Sequence, residues 1–128
     1  MLVAVYGSLR KTLSNHRVLD GAKYMGNYES EPIFSMFDVG AYPAIKESGN
    51  TSIVLEIYRI TDDILSRLDT LEGFDVDEPD SCYYVRTVIE TPFGEAYIYT
   101  FPHSTDHYKQ VQNGDWTEYT TTKEFINV

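Results

Sequence analysis

Two short stretches of the chain carry residues that could do chemistry. The first is Glu72. Stepping about 100° per residue from Thr61, Ile64, Leu65, Leu68 and Leu71 fall on one apolar arc, and Glu72 falls inside that arc. Ser66, Arg67 and Thr70 lie elsewhere on the wheel. A carboxylate on the inward stripe loses water, and in the last turn it also meets the negative end of the helix; both disfavour its charged form. A carboxyl raised towards neutrality is suited to accept and return a proton. The competing reading is a glutamate at a helix end that bends its head out to solvent.

The second stretch is Tyr6-Gly7-Ser8-Leu9, where the apolar run Leu2 to Tyr6 meets a glycine and a serine. Glycine permits a sharp turn and a close ligand, and successive backbone N–H groups in such a turn can form a concave anion site. The competing reading is an ordinary strand-ending turn. Ser8 is a poor candidate for a nucleophile, because the flanking glycines of a nucleophile elbow are missing.

These residues need elements to hold them. Leu2 to Tyr6 reads as a buried strand, and Ser14 to Asp20 as a short helix with Ser14 as cap and Gly21 at its end. Strands are expected at 24–29 and 33–39, an extended piece at 41–45, a turn at Ser48-Gly49-Asn50, and a strand covered on both faces at 52–60. Thr61 to Glu72 is the clearest helix, with Thr61 as cap, Asp62 and Asp63 in its first turn and Gly73 ending it. Residues 83–90 and 95–101 read as a hairpin across Thr91-Pro92-Phe93-Gly94. From Pro102 onward the chain is turn-rich and poorly patterned. Strands outnumber helices without alternating regularly with them, so the expected class is α+β: a curled sheet or small, partly closed barrel with one or two flanking helices, in a single domain over 1–128.

Composition narrows the function. The 128 residues carry a formal net charge of -10, which argues against a nucleic-acid partner and against an anionic membrane surface. The charge is uneven, since Arg10, Lys11, Arg17 and Lys23 precede all acids but Asp20. A positive N-terminal quarter could attract a small anion, or these could be solvated surface charges. The single cysteine, Cys82, allows no intrachain disulfide and fits a reducing compartment. With no apolar run of membrane-spanning length, a cytoplasmic protein is expected. His103 and His107 stand four apart but lack an evident third ligand. The acids Asp75, Asp77, Glu78 and Asp80 lack EF-hand spacing, so a solvated loop is expected there. His16 is expected to pack or hydrogen-bond.

Tyr6-Gly7-Ser8-Leu9-Arg10 resembles the hallmark loop of the gamma-glutamylcyclotransferase-like superfamily. Further segments match in order: Asn15-His16, Gly21-Ala22-Lys23-Tyr24, Gly40-Ala41-Tyr42-Pro43-Ala44, Leu68-Asp69-Thr70-Leu71-Glu72-Gly73, Tyr84-Val85-Arg86 and Ala96-Tyr97-Ile98-Tyr99. Asn113-Gly114-Asp115-Trp116 with Tyr119 is similar to the closing segment of the small gamma-glutamylamine branch. The resemblance spans roughly residues 2–119. It implies a pocket between the loop and the helix end. There a small-molecule gamma-glutamyl substrate cyclises to 5-oxoproline and frees its amine. It also implies that Tyr6, Gly7, Ser8 and Leu9 hold the glutamyl portion and that Glu72 moves the proton, with no metal or cofactor required. Tyr84, Arg86 and Tyr99 are secondary candidates for pocket walls, with packing or a surface partner the favoured reading of each. Two other functions stay open. The fold could serve as a binding module without turnover, or Glu72 could activate water for hydrolysis; the products would be 5-oxoproline, nothing or free glutamate respectively. The leaving amine and the oligomeric state are not legible.

Overall fold

The computed structural model describes residues 1–78 and 81–126; Asp80, the last acid of the run after the helix, lies outside the described residues. β1 (Leu2–Val5) is the organising strand. It pairs antiparallel with β5 (Val54–Arg59), Leu2 opposite Arg59 and Val5 opposite Glu56, and parallel with β7 (Gly94–Thr100), Leu2 opposite Ala96. With β2 (Lys23–Glu29) and β6 (Val85–Thr91) at the edges, the order of this sheet is β2-β5-β1-β7-β6. A strand flanked on both sides and covered on both faces must be apolar throughout, and all four β1 residues are buried.

Side chains alternate across a strand, so β1 serves two cores. Leu2, Ala4 and Tyr6 join Leu55, Ile57 and Ile98 on one face. There they meet Met36, Ile45 and Val111 from a second sheet, ordered β4 (Pro43–Thr51), β3 (Phe34–Asp38), β8 (Lys109–Val111). Val3 and Val5 join Tyr58 and Tyr99 on the other face, where Ile64 and Leu68 of α1 (Asp62–Glu72) and Leu19 of a short 3-10 helix (His16–Leu19) pack. The result is the expected α+β class: two partly open sheets with flanking helices.

α1 starts and stops as its sequence dictates. The Thr61 hydroxyl accepts from the Ile64 N–H at 3.3 Å, and Gly73 closes the helix in the left-handed conformation at φ 68°. The hairpin β6–β7 also forms across residues 91–94.

Four expectations need correction. The helix foreseen from Ser14 is only the 3-10 turn His16–Leu19, flanked by Asn15 with no side-chain cap bond. Ser48-Gly49-Asn50 is no hairpin turn but part of a bulge within β4. Phe34 pairs with Thr51 and Ser35 with Lys46, so Glu47 to Asn50 are unmatched, and Ser35 Oγ donates to the Ser48 carbonyl at 2.8 Å. The stretch after Pro102 contains β8 and a second helix, α2 (Trp116–Ile126). Leu71 is not on the buried arc of α1; it is 40% exposed. Among the described residues no helix is long and apolar enough to cross a membrane.

Candidate active site

A cavity of about 150 Å³ opens where β1 ends, between the loop that follows it and the last turn of α1. Tyr6, Gly7, Ser8 and Leu9 line one side, with Ala4, Val5 and Asn15 beside them; Leu71 and Glu72 line another; Tyr42, Pro43, Tyr83, Tyr84 and Tyr99 complete the wall. All five residues singled out in the sequence therefore face one space.

The loop is shaped by close packing and by braces. A Cβ on Gly7 would come within 2.7 Å of the Pro43 ring, so only glycine fits there. The Arg10 N–H donates to the Gly7 carbonyl at 2.9 Å. Asn15 grips Ser8 twice, its N–H on the Ser8 carbonyl and its Nδ2 on the Ser8 hydroxyl, both at 2.9 Å. His16 Nδ1 lies 2.9 Å from the Leu9 carbonyl. Among the described residues, the N–H groups of Gly7, Ser8 and Leu9 make none of the loop's backbone bonds. Three consecutive donors at the wall of a cavity can take an anionic or oxyanionic group.

Beyond the loop, Arg10 is buried, contrary to the reading of a free positive quarter. Its Nε donates to Glu56 at 2.9 Å and its guanidinium also reaches Asp115 at 2.8 Å. Glu56 further accepts from the Lys11 N–H at 2.9 Å and the Tyr58 hydroxyl at 2.8 Å. The Lys11 ammonium lies over the Tyr24 ring. Arg10 thus builds the loop's support, while Lys11, Arg17 and Lys23 stay exposed, and among the described residues no cation lines the cavity.

Among the described residues, Glu72 is the only ionisable carboxyl on the cavity wall. The residue keeps part of its surface, but that surface faces a space walled by protein rather than open water. Burial pushes its carboxyl up from 4.5 to about 7. Among the described residues none donates to it or pairs with it, so its oxygens are available to a ligand. Three residues earlier on the same helix face, Asp69 accepts from the Tyr99 hydroxyl at 2.7 Å and from the Arg86 guanidinium. That pairing ties the end of α1 to β6 and β7.

Tyr6 donates its buried hydroxyl to the Tyr99 carbonyl, and Tyr84 donates to the Pro43 carbonyl at 2.7 Å. Both hydroxyls are held protonated, burial being the main cause and the Glu72 charge a further one. Of the secondary candidates, Tyr84 and Tyr99 line the cavity and Arg86 does not, being engaged with Asp69. Sequence reasoning missed Asn15 and Pro43 as loop supports and Tyr42, Tyr83 and Leu71 as walls. Asn15 and Pro43 stood beside recognisable segments, but their contacts appear only on folding. His16 does hydrogen-bond, as expected. Among the described residues no cluster of three metal-ligating side chains occurs.

A family model described as gamma-glutamyl cyclotransferase, AIG2-like, matches residues 3–118. A Vibrio cholerae protein that bears the name gamma-glutamylcyclotransferase provisionally is 38% identical over 91% of this chain and 96% of its own. The Escherichia coli gamma-glutamylcyclotransferase family protein YtfP is 30% identical over 92% of this chain and 97% of its own. Its solution structure superposes with a TM-score of 0.73, covering 94% and 99% of the two chains. The crystal structure of an uncharacterized Pyrococcus horikoshii protein gives a TM-score of 0.79 over 98% and 97% at 22% identity, a likeness of fold.

Proposed function

Because the chain belongs to the gamma-glutamyl cyclotransferase, AIG2-like family, we propose that it cyclises a gamma-glutamyl amine or amide to 5-oxoproline and releases the free amine. The carrying observation is that one cavity brings together a carboxyl raised to about 7 and a run of unengaged backbone N–H groups.

Each part has a task. The N–H groups of Gly7, Ser8 and Leu9, with Tyr6 behind them, hold the anionic parts of the glutamyl group. The substrate's α-amine attacks its own γ-carbonyl carbon. A new C–N bond closes the five-membered ring, and the bond to the leaving nitrogen breaks. Glu72 takes a proton from the attacking nitrogen and delivers it to the leaving one, so it ends as it began. The reaction is intramolecular, so the protein supplies no nucleophile. Holding the chain in a near-attack shape can contribute about 7–11 kcal/mol, and a positioned acid/base contributes roughly 10²–10⁴-fold. A carboxyl near neutrality suits both halves of that proton exchange, since it is a competent base and a competent acid at the same pH.

The test is to incubate the protein with a panel of gamma-glutamyl amines and peptides and to assay 5-oxoproline. Glu72→Gln is expected to lose nearly all turnover while still binding substrate. Turnover retained in that variant would remove Glu72 from its role, and free glutamate as product would point to hydrolysis instead.

A further inference from the structure

The mouth of the cavity says what kind of amine should leave. In the cyclisation proposed above, on which this inference rests, Glu72 protonates the leaving nitrogen. Whatever that nitrogen carries must therefore pass Glu72 on its way out of the cavity. The cavity, at about 150 Å³, is of the size that holds a single benzene-sized group, so the glutamyl portion fills it and the leaving group lies across the rim.

The rim of the cavity carries exposed aliphatic and aromatic surface. Leu71 is 40% exposed, Tyr83 is 50% exposed and Tyr42 is 46% exposed, and all three line the cavity. Tyr83 is held in place by neighbours rather than by burial. Its ring meets Tyr84 edge-on at 5.1 Å and Phe101 at 5.6 Å, and its N–H donates to the Gly73 carbonyl at the end of α1. Exposed aromatic surface fixed beside a cavity marks a contact surface for a ligand.

The same mouth offers no cation to a second carboxylate: among the described residues no lysine or arginine lines the cavity. Arg10 is committed to Glu56 and Asp115, and Arg86 to Asp69. The unengaged N–H groups of the loop are used by the glutamyl end. The net charge of -10 further disfavours an added anion.

We infer that the preferred substrate is a gamma-glutamyl amide of an amine with an aromatic or bulky apolar body and no carboxylate, and that Tyr83, Tyr42 and Leu71 select it. Amino acids, whose leaving nitrogen sits one carbon from a carboxylate, are the disfavoured class.

Three probes isolate the two features. Gamma-glutamyl-phenethylamide and gamma-glutamyl-phenylalanine share a ring and differ in one carboxylate; gamma-glutamyl-ethylamide lacks both ring and carboxylate. Release of 5-oxoproline should show kcat/KM for the phenethylamide roughly tenfold or more above each of the others. Tyr83→Ala and Tyr42→Ala should each shrink the phenethylamide-to-ethylamide ratio several-fold. Calorimetric binding to Glu72→Gln should rank the probes in the same order. If the phenylalanine conjugate is cleaved as well as the phenethylamide, or the ethylamide equals both, the selectivity inference is overturned while cyclisation stands. If no probe yields 5-oxoproline, the cyclisation itself fails and the inference with it.

Discussion

At the scale of single residues, Glu72 determines how the protein should respond to pH. A carboxyl that must be ionised to accept a proton, and that burial pushes up to about 7 in the free protein, should make kcat/KM rise with pH through about 7; a pH–rate profile checks this. The same shift acts on stability. Below the unfolded value near 4.5 the carboxyl is neutral in both states and costs nothing. As pH rises from there to about 7, the unfolded chain releases the proton and the folded one keeps it, so folding loses stability with rising pH. Glu72→Gln should therefore leave the unfolding free energy unchanged at pH 4 and raise it at pH 8, by roughly 1–3 kcal/mol in denaturant titrations. Gly7→Ala should do the opposite kind of harm. Its methyl would press on the Pro43 ring, at a cost of about 1–3 kcal/mol, and calorimetry should show weakened binding of gamma-glutamyl substrate as the loop shifts. Glu72 was legible because its argument is local, an apolar period and a helix end within twelve residues. The need for glycine at position 7 was visible only as a turn; its reason, Pro43, lies 36 residues away along the chain.

At the scale of elements, what could be read followed from local chemistry. α1 has a threonine at one end, acids in its first turn and glycine at the other end, so its limits were fixed before any tertiary contact. α2 shares the start signal, Asp115 as cap and Glu118 in its first turn, but its body is weakly marked. Thr117, Thr120, Thr121 and Thr122 are weak helix formers, and no apolar stripe runs along it. What holds it is at its start: Asp115 accepts from the Glu118 N–H at 3.2 Å, buried Trp116 stacks on Tyr119 at 5.3 Å, and Tyr119 donates to Asp38 at 2.7 Å. The β4 bulge was misread for a related reason, since Ser-Gly-Asn suits a turn and a bulge alike, and only the partner strand decides. The element that matters most for the site is the last turn of α1, fastened by Asp69 to Arg86 and Tyr99. Asp69→Ala would leave two buried or half-buried donors without an acceptor. It should cost about 1–3 kcal/mol in unfolding experiments and lower kcat more than it raises KM, because Glu72 loses its bearing while the loop keeps its own.

At the scale of the whole molecule, the loop is supported from far along the chain. Arg10, Glu56 and Asp115 come from three regions and meet in one buried group. The sequence offered Arg10 as one of a cluster of cations; only the fold shows it spent on structure. Removing one member of a buried pair typically costs about 3–5 kcal/mol, so Arg10→Met should be strongly destabilising. Arg10→Met combined with Glu56→Gln should recover part of that loss in a double-mutant cycle, because the stranded charge is gone.

Asp115 thereby has two duties, starting α2 and anchoring Arg10. Among the described residues nothing beyond Tyr99 lines the cavity, so a protease that nicked the chain between Val111 and Asp115 would leave those wall residues intact. It would nonetheless cut the far mooring of the anion-binding loop. Digested protein should keep Glu72 in place yet grip its ligand poorly, and damage at the tail would be felt at the head.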